Sequence, residues 1–180
     1  MKSRFQQFTI EFMLDGVKAV ISLNERRWPE MWGYVQRAHR ILTETASKPT
    51  DHGDLRADAM TFFIMSLHLA DWIHRDDSND ITEEQIIKAM SGSHIMSLAN
   101  NLANTSKHFG RDPGKGDDVR IGSVTVLEGS AGRSTSGSIE FERNGKPQTK
   151  DVLTLADECL DWWKKYLKQH RLETSEHKEP

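Results

Sequence analysis

Apolar positions change their spacing along the chain, and the changes divide it into elements. Phe8, Ile10, Phe12 and Leu14 alternate with other residues, and Val17, Ala19, Ile21 and Leu23 alternate again after Asp15-Gly16. Two alternating runs joined by Asp-Gly predict a β-hairpin. The same stretch also fits a helix through Phe5, Phe8, Phe12 and Val20; the hairpin is preferred. From Pro29 the spacing becomes helical, with Trp32, Val35, Ala38, His39 and Leu42 on one face of a helix ending near Glu44. Ala46 to Gly53, with Pro49, is expected to be a loop.

The stretch from about Asp54 to Arg75 organises the rest. Between Ala59 and Ile73 only Thr61, Ser66, His68 and Asp71 interrupt the apolar residues. A helix apolar around most of its circumference must be covered on several sides, so this is the expected central helix of a bundle. Thr61, His68, Asp71 and Arg75 share one face, a polar stripe on that helix. Residues 76 to 80, Asp-Asp-Ser-Asn-Asp, should end it in a solvated turn. Thr82-Glu-Glu-Gln85 is a capping box opening a short helix with Ile86, Ile87 and Met90 inward, broken by Ser91-Gly92. Ser93 caps a fourth helix that buries Ile95, Leu98, Ala99 and Leu102 and stops near Gly110.

After a Gly- and Asp-rich loop from Arg111 to Asp118, Val119 to Leu127 is β-branched, with a bulge expected at Gly122. Gly129 to Gly137 reads as a small-residue loop, Ile139 and Phe141 alternate with acids, and Asn144-Gly145 signals a turn. The last helix, about Asp151 to Gln169, packs through Leu155, Cys159, Trp162, Trp163, Tyr166 and Leu167, with Trp162-Trp163 expected to leave one aromatic exposed beside Lys164 and Lys165. The expected fold is α+β and mainly α. It is a bundle of about five helices with a small antiparallel hairpin or meander before the last one, forming a single domain over residues 1–172 with a flexible tail at 173–180.

Composition narrows the partners. The net charge is −3 and the pI about 6.2, giving no overall electrostatic case for nucleic acid, though a local basic patch is compatible with both. A mean hydropathy of −0.64 implies polar loops around a compact core. One cysteine, Cys159, precludes an intramolecular disulfide and suits a reducing compartment. With no apolar leader and no run long enough for a bilayer, the expectation is a cytoplasmic protein without membrane contact. The eight histidines form no His-x-x-x-His or His-Glu-x-x-His pattern, so neither metal nor cofactor is expected. Gly110 to Gly116 is not a phosphate loop, and Gly129 to Gly137 contains no Gly-x-Ser-x-Gly.

Chemistry concentrates in two stripes. Ser97, Asn101, Asn104 and His108, flanked by Lys107, run down the fourth helix. If that stripe meets His68 and Asp71, the parts suffice for metal-independent phosphodiester cleavage. Of His108 and His68, one would remove a 2′-hydroxyl proton and the other protonate the leaving oxygen; Asp71 would orient His68, Lys107 would hold phosphate charge, and Asn101 and Asn104 would position the substrate. Each residue also has a structural role open to it. His68 suits a hydrogen-bonded core position, Asp71 an i,i+4 pair with Arg75, the asparagines an interhelical ladder or a solvated face, and Lys107 and His108 a helix C-terminus.

Phe62 to Ile73, the acidic turn, the short helix and Leu98 to His108 together resemble a set of uncharacterised bacterial and phage proteins. The shared marks are His68, Asp71, Trp72, Asn104, Lys107 and His108, over residues 55 to 170. More distantly the arrangement is similar to HEPN-type helical domains, many of them metal-independent RNases of toxin and phage-defence systems. That resemblance implies an endoribonuclease or RNA-binding protein, with His108 as the motif histidine and a site shared across a homodimer. The family's arginine has no counterpart here; Asn101 or Asn104 stands near its position and Lys107 is the available cation, a point charge rather than a bidentate fork. Two expectations of other classes stand beside it: a non-catalytic module binding a protein partner, and a sensor taking a small molecule between helices.

Overall fold

A computed structural model describes residues 8–14, 17–23, 27–47, 52–107, 119–129, 132–143 and 146–172. Its elements, in order, are β1 (Phe8–Leu14), β2 (Val17–Leu23), α1 (Trp28–Ser47), α2 (His52–Arg75), α3 (Glu83–Ser91), α4 (His94–Lys107), β3 (Val119–Gly129), β4 (Gly132–Arg143), β5 (Lys146–Asp151) and α5 (Val152–Gln169). This is the expected α+β architecture, mainly helical, with a three-stranded antiparallel meander before the last helix. The N-terminal hairpin also forms, pairing Phe8 with Leu23, Ile10 with Ile21, Phe12 with Ala19 and Leu14 with Val17. Its Asp15-Gly16 turn, the 111–118 loop, the Asn144-Gly145 turn and the 173–180 tail lie outside the described residues.

Helix α2 is central for the reason its composition gives. Helices α1, α3, α4 and α5 and strands β3 and β4 all pack on it. Ala59, Phe62, Phe63, Leu69 and Ile73 are wholly buried and Leu55 nearly so. Burying side chains of this size contributes roughly 1.5–3 kcal/mol each. Helix α1 runs longer than its pattern at both ends because Trp28 and Ala46 are buried too. The start of α1 is fixed from afar: Asp76 is buried, and its carboxylate accepts from the Trp28 amide at 2.9 Å and from the Ser78 amide at 2.8 Å. A carboxylate at a helix N-terminus also meets the positive end of the dipole. The turn after α2 is therefore ordered rather than merely solvated, and Asn79 closes it by donating to the Ile73 carbonyl at 3.0 Å.

Local signals fix the next boundaries. Thr82 and Gln85 make the expected capping box on α3, and the Ser93 hydroxyl accepts from the Met96 amide at 3.3 Å. Ile86 and Met90 are buried, but Ile87 is 56% exposed and does not point inward. On a nine-residue helix lying on one surface the apolar stripe is too narrow to cover both isoleucines. Asp151 caps α5, accepting from the Thr154 amide at 2.8 Å.

The expected loop from Gly129 to Gly137 is instead strand from Gly132 onward, with Thr125 opposite Ser136 and Val126 opposite Thr135. Thr135, Gly137 and Ile139 continue one inward face at period 2. A Cβ at Gly137 would lie 3.0 Å from Val152 Cγ2 and 3.2 Å from Leu55 Cδ2, so glycine there lets β4 approach α2 and α5. The bulge falls between Ile121 and Val124 as expected. Ser138 Oγ accepts from the Ser123 amide at 3.1 Å, and Arg56 of α2 donates to the carbonyls of Ile121 and Gly122 at 3.3 and 3.1 Å. The disrupted ladder is thus satisfied by side chains, one of them from the central helix.

Candidate functional site

The polar stripe of α2 lies at the edge of solvent. Thr61 is exposed and donates back to the Ala57 carbonyl at 2.8 Å, and Arg75 is exposed. The side chains of His68 and Asp71 are 39% and 50% exposed, with His68 Nδ1 3.6 Å from Asp71 Oδ2. That is ion-pair range, longer than a hydrogen bond. Asp71 therefore lies beside His68, one turn along the same helix, without a hydrogen bond fixing the ring. One turn further, His74 Nδ1 donates to the Ala70 carbonyl at 3.2 Å. In the neutral ring this directs the Nε2 lone pair away from the backbone.

The α4 stripe is half-buried at Ser97, Asn100, Asn101 and Asn104, with Asn104 Nδ2 donating to Asn100 Oδ1 at 3.2 Å. Lys107 is the last residue of α4. His108 lies outside the described residues, as does the side chain of Lys107. Among the described residues no hydrogen bond or ion pair joins the His68–Asp71 pair to Asn104.

One residue of each stripe nevertheless lines a common groove. Helices α2, α3 and α4 enclose about 350 Å³ between them. Its floor is Leu67, Ala70, Ile86, Met90 and Met96, and the exposed Ile87 stands at its edge. The polar lining is Asp71 and His74 from α2, Glu83 and Ser91 from α3, and Ser97 and Asn100 from α4. So Asp71 of one sequence stripe and Ser97 of the other face a common space. The sequence reading missed His74, Glu83 and Asn100. His74 had a signal, since it follows Asp71 by three residues on the same helix; Glu83 had none beyond its place in a capping box.

A second polar constellation is sealed inside. Ser66 is buried; its hydroxyl accepts from Trp163 Nε1 at 2.8 Å and lies 3.1 Å from Cys159 Sγ. Cys159 Sγ in turn donates to Met96 Sδ at 3.6 Å. Burial pushes the Cys159 thiol up to about 12, opposed by its hydrogen bond with Ser66. A thiol held protonated in the core is a packing group, not a nucleophile. On the far side of the bundle, His39 Nε2 lies 2.7 Å from Asp157 Oδ1 with its ring edge against Phe62, tying α1 to α5.

The α5 aromatics also settle inward. Trp163 is buried, and Trp162 is half-buried rather than exposed, stacked on Tyr166 with centroids 5.1 Å apart. Lys164 beside it is engaged with Asp161 at 3.0 Å, which lowers the pKa of that carboxyl. Among the described residues no group of three or more His, Cys, Asp or Glu side chains is placed to hold a metal ion. Nor is any described helix long and apolar enough to cross a membrane. Comparison with protein-family models, with curated proteins and with solved structures gives no match to this chain.

Proposed function

We propose that the protein is a binding module whose α2–α3–α4 groove receives an amphipathic helix of a protein partner. The observation that carries this reading is the groove's make-up, an apolar floor with two methionines beneath a rim that includes Asp71 and Glu83. Methionine adapts its shape to an incoming side chain, and an apolar anchor in a helical groove is a recurring mode of recognition. The acidic rim, with Asp80 and Glu84 exposed close by in the chain, selects an anchor flanked by lysine or arginine. A groove of this charge repels phosphate, which sets it against RNA as occupant. The single buried cysteine suits a cytoplasmic setting.

The test is an Ala-based helical peptide carrying leucine anchors and lysines, compared with its glutamate counterpart. The cationic peptide should bind wild type and lose about tenfold or more in affinity to Ile87→Ser, from removal of one apolar contact. Because Ile87 is exposed, the variant should melt within about 0.5 kcal/mol of wild type. Equal binding of both peptides, or of both proteins, would reject the groove.

A second reading is an HEPN-like, metal-independent endoribonuclease or RNA-binding protein of a bacterial toxin or phage-defence system. What favours it is the half-exposed His68–Asp71 pair, an imidazole open to a substrate with a carboxylate beside it. In that reading Asn101, Asn104 and Lys107 hold the RNA and His108 supplies the second imidazole. His68→Ala should then abolish cleavage of single-stranded RNA without lowering the melting temperature. RNA left intact by wild type and variant alike would dispose of the enzyme.

A further inference from the structure

We infer that the groove's partner is a second copy of this chain, whose α1 presents Tyr34 and Ile41 to the α2–α3–α4 groove. The inference rests on the reading of the groove as a site for an apolar, cationic helix. Among the described residues the exposed large hydrophobics are Tyr34, Ile41 and Ile87, at 45%, 39% and 56%. Ile87 stands at the groove. The other two are seven residues apart on α1, so they share one face at a distance of two turns. Arg37 and Arg40 lie between them and are exposed, and among the described residues neither is held in an ion pair. Apolar anchors flanked by arginine are what the groove's acidic rim selects. Glu30 and Glu44 fall at the two ends of the face, and Glu30 accepts from the Tyr34 hydroxyl at 2.6 Å.

The two surfaces match in length. The α2 wall of the groove runs from Leu67 to His74, also seven residues, so each surface is about 10 Å long. Gly33 is a further mark on α1. Glycine is unfavourable in a helix interior relative to alanine, yet a Cβ at Gly33 would meet no packing neighbour within 4 Å among the described residues. The packing of the fold does not call for glycine there. Beside Tyr34 it leaves a notch into which a facing helix can close. Helix α1 packs on α2, α5 and β4, whereas the groove lies between α2, α3 and α4. These are separate surfaces of one molecule, so they meet between copies. The groove offers the arginines Asp71 and Glu83, with Glu84 exposed beside them in the chain. An α1–α1 pair centred between the anchors would set arginine against arginine. A contact between unlike faces is heterologous and propagates into a ring or an open chain of copies.

Sedimentation equilibrium of the full chain over a wide concentration series tests it, with far-UV circular dichroism as the control for folding. The mean mass of wild type should rise with concentration above the 20.6 kDa of one chain, and excess leucine–lysine peptide should return it to that value. Tyr34→Ala with Ile41→Ala, and separately Ile87→Ser, should each raise the dissociation constant at least about tenfold with the helical signal unchanged. An equimolar mixture of those two proteins is the sharpest sample. Each keeps one intact surface, so the mixture should form a complex of two chains and stop there. Should the α1 variant lose its helical signal, Arg37→Glu with Arg40→Glu takes its place with the same expectations. Wild type at the single mass throughout would overturn the inference, and so would a mixture that forms no complex. If a monomeric wild type still binds the peptide through Ile87, the groove reading stands and only the identity of its partner falls; a protein that neither assembles nor binds the peptide loses both. Assembly that Ile87→Ser leaves intact would assign the α1 face to another surface and overturn the inference as well.

Discussion

Ser66 shows how much one hydroxyl can organise. It is the only fully buried interruption of the apolar run on α2, and it binds Trp163 and Cys159, 97 and 93 residues away. Replacing it with alanine leaves the Trp163 N–H buried and without its acceptor, a loss of about 1–3 kcal/mol. Ser66→Ala should lower the midpoint of urea unfolding by that amount with an unchanged denaturant slope; an unaltered midpoint would mean the indole finds another partner. From the sequence, Ser66 was a mild break in an apolar pattern and His68 the conspicuous one, whereas folding buries Ser66 and leaves His68 half-exposed. Residue type marks which groups carry chemistry. Their exposure is set by neighbours distant in sequence, which periodicity does not encode.

At the scale of elements, boundaries written in local chemistry were legible and those written in packing were not. The Thr82–Gln85 box, the Ser93 cap and the bulge near Gly122 are short-range devices, and each appears where its residues stand. Strand β4 was hidden because Ser134, Thr135, Ser136 and Gly137 resemble a loop in isolation. They are held as strand by pairing with β3 and by the room that Gly137 leaves for Leu55 and Val152. The meander is further held by Arg56, which reaches from α2 to the two carbonyls at the bulge. Arg56→Ala should cost about 1–2 kcal/mol and speed amide exchange in β3 more than in α1. Uniform exchange in both elements would show that Arg56 does not anchor the sheet.

On the scale of the whole molecule, the bundle follows from an apolar central helix that needs cover on several sides, and this much the pattern of residues foretold. The groove did not, because it belongs to no single element. It exists where short α3 leaves a gap between α2 and α4, and its lining draws on three helices. The two polar stripes, Asp71 from one and Ser97 from the other, acquire a shared meaning only there. The central claim is that this groove takes an apolar, cationic helix. The most direct measurement is methyl NMR of the intact protein, labelled at Ile, Leu and Met and titrated with the leucine–lysine peptide. Saturable shifts at Leu67, Ile86, Ile87, Met90 and Met96, with α1 and α5 methyls unmoved, are the predicted result. Shifts that fail to saturate, that lie outside the groove, or that the glutamate peptide produces equally would contradict it.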